Sequence, residues 1–236
     1  MFNTILELTK YRLSLSVIFS SVAGYLIAID YFSIETFLLL FFGGFFLVGA
    51  SNGFNQIIER ERDSIMDRTK NRPIPLGKIS PRSAFIICLI MILSGIVLLY
   101  LINFRTAFFG LISTLIYLFL YTPLKTRTPL CVFFGAISGA IPFMLGWVAA
   151  TNKFGIEPGV LFMIQFFWQF PHFWSIGWLS DDDYKKAGFK MLPTGKKDKS
   201  TAFQIVFYTI WTILVSLIPL SGFSGLLTIS YRSEEH

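Results

Sequence analysis

Seven stretches of this chain are apolar over lengths that call for a non-aqueous environment: Leu13–Ile29, Phe37–Ile58, Ala84–Ile102, Ala107–Tyr121, Leu130–Ala150, Gly159–Leu179 and Ala202–Leu220. A helix crossing the hydrocarbon core of a bilayer needs about 20 residues, with a working range of about 17–25. All the runs except Ala107–Tyr121 reach that range. The composition agrees, because 54% of the 236 residues are hydrophobic and only 14% are charged, against about 25% charged in soluble domains. So few polar groups could not cover that much apolar surface in water. A soluble globular enzyme, a disordered chain and a disulfide scaffold are excluded together. Cys88 and Cys131 lie in or beside apolar runs and read as packing residues. No strand-period alternation competes with the helical reading. The expected fold is all-α, a multi-pass transmembrane helical bundle in the lipid bilayer.

Basic residues orient the bundle. With the N-terminus cytoplasmic, one face collects every lysine and arginine except Arg105 and Lys153, which fall opposite, and Arg232, which is unplaced. The first residues carry Glu7 and no small-residue cleavage site, unlike a secretory signal or a transit peptide. A bacterial inner membrane, with the acidic loops on the cytoplasmic side, is the expected location. No nucleic-acid partner is expected. Pro142, Pro171 and Pro219 fall within or near the end of later runs, where neighbouring helices can re-satisfy the backbone. Residues 1–220 read as a single membrane domain and 221–236 as a short tail, as though the chain ended early.

Two loops on the basic face carry more chemistry than a connection needs. In the first, Asn55, Glu59, Asp63 and Asp67 recur every four residues, which puts neighbours on one helix face if the helix continues past the membrane surface. Like charges at that spacing repel unless a cation lies between them. Mg²⁺ prefers one or two carboxylates with phosphate oxygens supplying the remaining ligands. Arg60, Arg62, Arg68, Lys70 and Arg72 interleave the acids, and arginine and lysine are phosphate ligands. The set describes a metal–diphosphate site. A solvated juxtamembrane helix touching anionic lipid would share the composition. The second loop repeats the plan with Asp181, Asp182 and Asp183 followed by Lys185 and Lys186. Two such clusters on one face of a bundle can converge on one diphosphate. His172 lies at membrane depth beside Pro171; it is a functional candidate or a partner for a carbonyl that the proline frees. The surrounding Phe166, Phe167, Trp168, Phe170, Phe173, Trp174 and Trp178 suit helix packing or the lining of a flat or isoprenoid ligand.

These motifs resemble those of the UbiA-type intramembrane prenyltransferases. The segment N-Q-I-I-E-R-E-R-D-S-I-M-D-R-T-K-N-R-P is similar to the family's first acidic motif. The segments Y-T-P-L-K-T-R-T, G-A-I-S-G-A-I-P and W-Q-F-P-H-F, with D-Y-K-K-A-G-F-K-M-L-P, resemble the branch of that family that farnesylates haem. The resemblance runs from about Leu8 to Lys199. It implies a nine-helix fold, of which seven spans are apparent here, around a cavity open to the cytoplasm and the lipid. The implied reaction joins farnesyl diphosphate to a vinyl group of haem B with Mg²⁺ as cofactor, water then adding to the resulting cation. It implies Asn55, Glu59, Asp63 and Asp183 as catalytic and metal-binding residues. Arg60, Arg68, Lys70, Arg72, Lys125 and Arg127 are implied on the diphosphate, and His172 against haem. Haem A synthase or terminal-oxidase assembly would be the associated partners. Glu59 stands where relatives often carry aspartate, and His172 stands where quinone-type relatives carry an acid, which favours haem over a phenolic acceptor. A quinone-type prenyltransferase and a non-enzymatic haem-handling protein or transporter are the competing readings. Transporters place charge at mid-bilayer, whereas these acids cluster at the rim.

Overall fold

The computed structural model describes residues 1–219; the expected tail, 221–236, lies outside the described residues. Helix α1 (Phe2–Leu8) precedes α2 (Tyr11–Ala28), α3 (Ile34–Ile65), α4 (Pro81–Ile102) and α5 (Phe104–Leu115). A π-helical segment, Ile116–Tyr121, then runs into α6 (Thr122–Leu124), followed by α7 (Cys131–Thr151), α8 (Ile156–Leu179), α9 (Asp181–Lys186) and α10 (Lys199–Ser216). Polar residues start four of the helices by accepting a free backbone N–H. Ser33 caps α3, Ser80 caps α4 ahead of Pro81, Asn103 caps α5 and Asp198 caps α10.

Each expected run is helical over most of its described length, and the fold class is as expected. The span count differs slightly. Five helices are long and apolar enough to cross a membrane by length and composition: α2, α3, α4, the continuous Phe104–Leu124 and α7. The polar residues Gln165, Gln169 and His172 in α8 and Lys199, Ser200, Thr201 and Gln204 in α10 lower the hydropathy of those two.

Helix α3 has 32 residues and is therefore about 48 Å long, well beyond the roughly 30 Å hydrocarbon thickness. Its last turns project from the bilayer and carry the acidic residues to the rim. The Ala107–Tyr121 run looked short because helix continues through Leu124 with a changed winding. Pro123 has no N–H for the carbonyl four residues earlier, and the chain relaxes into a π segment there. The Tyr117 carbonyl accepts both the Thr122 backbone N–H, five residues on, and Thr122 Oγ1 at 2.9 Å.

Helix α7 is the centre of the bundle. Within its membrane window 72% is buried, against 17% for α4. Helices α2, α5 and α8 pack around α7, while α4 packs on the outside of α3. The outward face of α4 presents Phe85, Leu89, Leu93 and Val97, as a lipid-facing helix must. Helices α2 and α7 approach backbone to backbone at Gly24 and Gly146. A Cβ on Gly146 would collide with the Ser21 carbonyl oxygen and lie 2.6 Å from the Tyr25 nitrogen, while one on Gly24 would strike the Phe143 carbonyl oxygen. Tight small-residue crossings of this kind hold membrane helices together where the hydrophobic effect cannot.

Candidate functional site

A cavity of about 540 Å³ lies between α2, α3, the π segment, α7 and α8. Its inner end is apolar, lined by Leu47, Leu99 and Leu145, and its outer end is polar. The polar end is built on α3. Asn55, Glu59 and Asp63 fall on one face at four-residue spacing, all are buried, and all line the cavity.

Each of these side chains meets a cation or donor from another element. Glu59 Oε1 accepts from Lys125 Nζ at 2.9 Å, and both are buried. Arg72 Nη1 donates to both oxygens of the fully buried Asp63, at 2.7 and 2.6 Å. Asn55 donates to Thr122 Oγ1 at 3.3 Å and accepts from Lys10 Nζ at 3.5 Å. The ammonium of Lys125 also lies 4.5 Å from the centre of the Tyr121 ring, a cation–π contact. Burial works against the Lys125 charge, but Glu59 outweighs it and raises its pKa.

Lys10 belongs to this set although its residue type gave no hint of it. It stands in the break between α1 and α2 with left-handed backbone (φ 46°, ψ 54°), unusual for a residue with a Cβ. Gln56 fixes the break by donating to the Leu8 carbonyl at 2.7 Å, and Ser14 Oγ donates to the Thr9 carbonyl at 2.7 Å. Lys10 thus lines the cavity. Burial, then the charges of Arg72 and Lys125, lower its pKa to about 7, with Glu59 and Asp63 pulling the other way.

The second acidic cluster does meet the first, through the loop after α3. The carboxylate of Asp183 accepts the backbone N–H groups of Asp67 at 3.2 Å and Arg68 at 3.0 Å, and those bonds lower its pKa. Lys186 bonds Asp67 at 2.8 Å, as does Lys70 at 2.7 Å. These contacts hold the Asp67 pKa at about 2. Arg68 donates to the Tyr184 hydroxyl at 3.0 Å and lies over its ring at 5.3 Å. Asp183 therefore braces the loop that carries Arg68 and Arg72 and does not line the cavity.

Of the basic residues, Arg68, Arg72 and Lys125 line the cavity. Arg60 does not: one residue on from Glu59 the helix has turned by about 100°, and Arg60 is exposed and paired with Glu61. Lys70 is held outward by Asp67. Arg127 is exposed, beyond the buried Lys125. His172 lines the cavity, its ring stacked on Trp168 at 4.4 Å.

Among the described residues no three His, Cys, Asp or Glu side chains gather as a metal cage. A magnesium–diphosphate site does not need one. Glu59 and Asp63 are two hard carboxylates on one cavity wall, with the amide oxygen of Asn55 beside them, and phosphate oxygens would complete the coordination. The donor set fits Mg²⁺ brought in with a phosphorylated substrate.

Residues 17–231 match the model of the UbiA prenyltransferase family, and the chain belongs to that family. It is a prenyltransferase and a multi-pass membrane protein. It is 62% identical over 224 residues to a protoheme IX farnesyltransferase of Christiangramia forsetii, covering 95% of this chain and 75% of that one. It is 58% identical to the protoheme IX farnesyltransferase of Flavobacterium psychrophilum, covering 97% and 77% respectively. The fold is also that of a UbiA homologue from Archaeoglobus fulgidus solved with GPP and Mg²⁺, with a TM-score of 0.75 at 17% identity over 90% of this chain and 76% of that one.

Proposed function

We propose that this chain transfers the farnesyl group of farnesyl diphosphate to a vinyl carbon of haem B, with addition of water, giving haem O and diphosphate. The observation that carries the reading is one face of α3, Asn55–Glu59–Asp63, opposed by Lys10, Arg72 and Lys125 at the mouth of an apolar cavity. The likeness to proteins named protoheme IX farnesyltransferase supports haem as the acceptor.

Arg68, Arg72, Lys125 and Lys10 take the phosphate oxygens and stabilise the charge that grows on the leaving group. Asn55, Glu59 and Asp63 would hold Mg²⁺, which would supply further neutralisation of diphosphate charge. Asp183 positions the loop that carries Arg68 and Arg72. The prenyl chain runs into the apolar end, where exclusion of water protects the allylic cation from early hydrolysis. Tyr121 and Phe173, ring centroids 5.5 Å apart, present π faces near the reacting carbon. His172 faces the acceptor. The location that follows is a bacterial inner membrane, with α9 and the loop after α3 on the cytoplasmic side.

Diphosphate release tests the acceptor. Membranes containing the chain, supplied with farnesyl diphosphate and Mg²⁺, are expected to release diphosphate in proportion to added haem B and not to an added phenolic quinone precursor. Release driven by the phenol alone would overturn the haem reading in favour of a quinone-type enzyme.

Lys10 gives the site a pH dependence. Anions favour its protonated form, so binding of a non-hydrolysable farnesyl diphosphate analogue is tightest below pH 7. It weakens above the Lys10 pKa of about 7, by up to about tenfold per unit while one proton is taken up on binding. Lys10→Met, neutral at every pH, is expected to bind more weakly and to lose this slope. Titrations by calorimetry from acid to alkaline pH check this, and an unchanged slope in Lys10→Met would contradict it.

A further inference from the structure

One wall of the cavity carries a polar row of which the proposed chemistry uses only His172. Gln165, Gln169 and His172 follow i, i+4, i+7 spacing on α8, share one face and line the cavity. Gln169 is only 8% exposed, yet neither its amide nor the His172 ring makes a hydrogen bond with another described residue. The Gln169 carboxamide, one acceptor oxygen and two donor hydrogens, opens on the cavity, where a molecule that enters can take up its hydrogen bonds. Gly139 on α7 makes room for it: a Cβ there would lie 2.6 Å from Gln169 Nε2 and 2.8 Å from its Cδ.

The depth of Gln169 follows from its neighbours. Asn55 is bonded to Thr122, next to Tyr121. The Tyr121 ring packs on Phe173, and both rings abut Gly135. Gly139, with Gln169 on it, is one turn further along α7, about 6 Å inward. Gln169 therefore lies just beneath the layer of charges that would hold the diphosphate, at the level where the carbon leaving that diphosphate is attacked. His172 lies one turn outward on the same face of α8.

We propose that Gln169 is a positioning residue for the water that is added to the acceptor; this rests on the haem-farnesylation reading above. When farnesyl C1 bonds to the terminal vinyl carbon, positive charge falls on the neighbouring carbon attached to the porphyrin. That cation has two fates. A water oxygen can give it a lone pair, forming the C–O bond and passing the surplus proton to the His172 imidazole. Alternatively, the adjacent CH₂ loses a proton and an alkene forms without water. The carboxamide oxygen of Gln169 accepts a hydrogen bond from the water and turns its lone pair toward the cation, so that addition outruns proton loss. A carboxamide cannot itself take the proton, so its contribution is orientation alone.

Membranes containing the full chain, given haem B, farnesyl diphosphate and Mg²⁺ in isotope-labelled water, allow a direct test by chromatography and mass spectrometry of the haem products. The unmodified chain is expected to give the labelled alcohol. With Gln169→Leu the alkene, lighter by one water, becomes prominent, and the alkene-to-alcohol ratio rises about tenfold or more. Gly139→Ala crowds the same amide without replacing it and moves the ratio the same way. Variants that prenylate haem with the unmodified ratio would overturn the assignment. So would Gln169→Leu losing haem prenylation altogether, since the residue would then serve acceptor binding. If the unmodified chain gives no prenylated haem of either kind, the farnesylation reading fails first and takes this assignment with it.

Discussion

Asp63→Asn is expected to lower prenyl transfer by about a thousandfold, the upper end of what loss of one charge-stabilising group costs at a reaction centre. Asp63 is fully buried, faces the cavity and is held by Arg72 on both oxygens. Asparagine keeps its size and removes the charge, and with it a hard anionic oxygen for the metal. The change also leaves the Arg72 guanidinium, 22% exposed, without its partner. Breaking a buried ion pair from one side costs about 3–5 kcal/mol, so the variant will also melt earlier. Asp63→Asn combined with Arg72→Met restores stability, because removing both partners of a buried pair is close to neutral. Its activity is compared with that of Arg72→Met alone, which carries the loss of the phosphate ligand. Thermal stability returns in the double variant and activity does not. More than a tenth of the original activity in the stable double variant would contradict the role given to Asp63.

Gly146→Ala is expected to destabilise the bundle by about 3 kcal/mol or more, at or above the usual cost of overpacking. The obstructing atoms on α2 are the Ser21 carbonyl and the Tyr25 backbone nitrogen, and neither can swing aside as a side chain could. The helices must separate, which also opens the close approach at Gly24. Gly159 on α8 is the control, since nothing lies within 4 Å of a Cβ built there. Gly159→Ala is expected to be neutral, or stabilising by up to about 1 kcal/mol from helix propensity. Thermal unfolding in detergent compares the two. Equal melting of Gly146→Ala and Gly159→Ala would contradict the backbone crossing of α2 and α7.

The parts of the site that lie on one helix were legible in the sequence. Asn55, Glu59 and Asp63 share a face of α3 because four-residue spacing nearly closes a helical turn. The polar trio on α8 could have been found by the same count, had the aromatic crowd around it not drawn the reading toward packing. Arg60 fails by phase, since a neighbour in sequence points elsewhere on a helix. Lys70 and Arg127 fail because short loops fix no direction until their partners are known. The role of Asp183 was hidden for a different reason. Its partners are the backbone N–H groups of Asp67 and Arg68, 116 and 115 positions away, and an N–H leaves no mark on residue identity. Lys10 looked like one more cytoplasmic charge, because nothing local announces a left-handed turn at lysine. The membrane fold was plain from the apolar runs, whereas the winding at Ile116–Tyr121 depends on how Pro123 is accommodated.

On the proposed reading, the acids and cations at the mouth of this cavity drive metal-dependent transfer of a prenyl group to haem. Its most direct test is mass spectrometry of haems extracted from membranes that contain the chain, after incubation with haem B, farnesyl diphosphate and Mg²⁺. Haem O is expected, lost on addition of EDTA, restored by excess Mg²⁺ and absent with Asp63→Asn. Haem O formed equally well in EDTA or by Asp63→Asn, or haem B left untouched while another acceptor is prenylated, would contradict it.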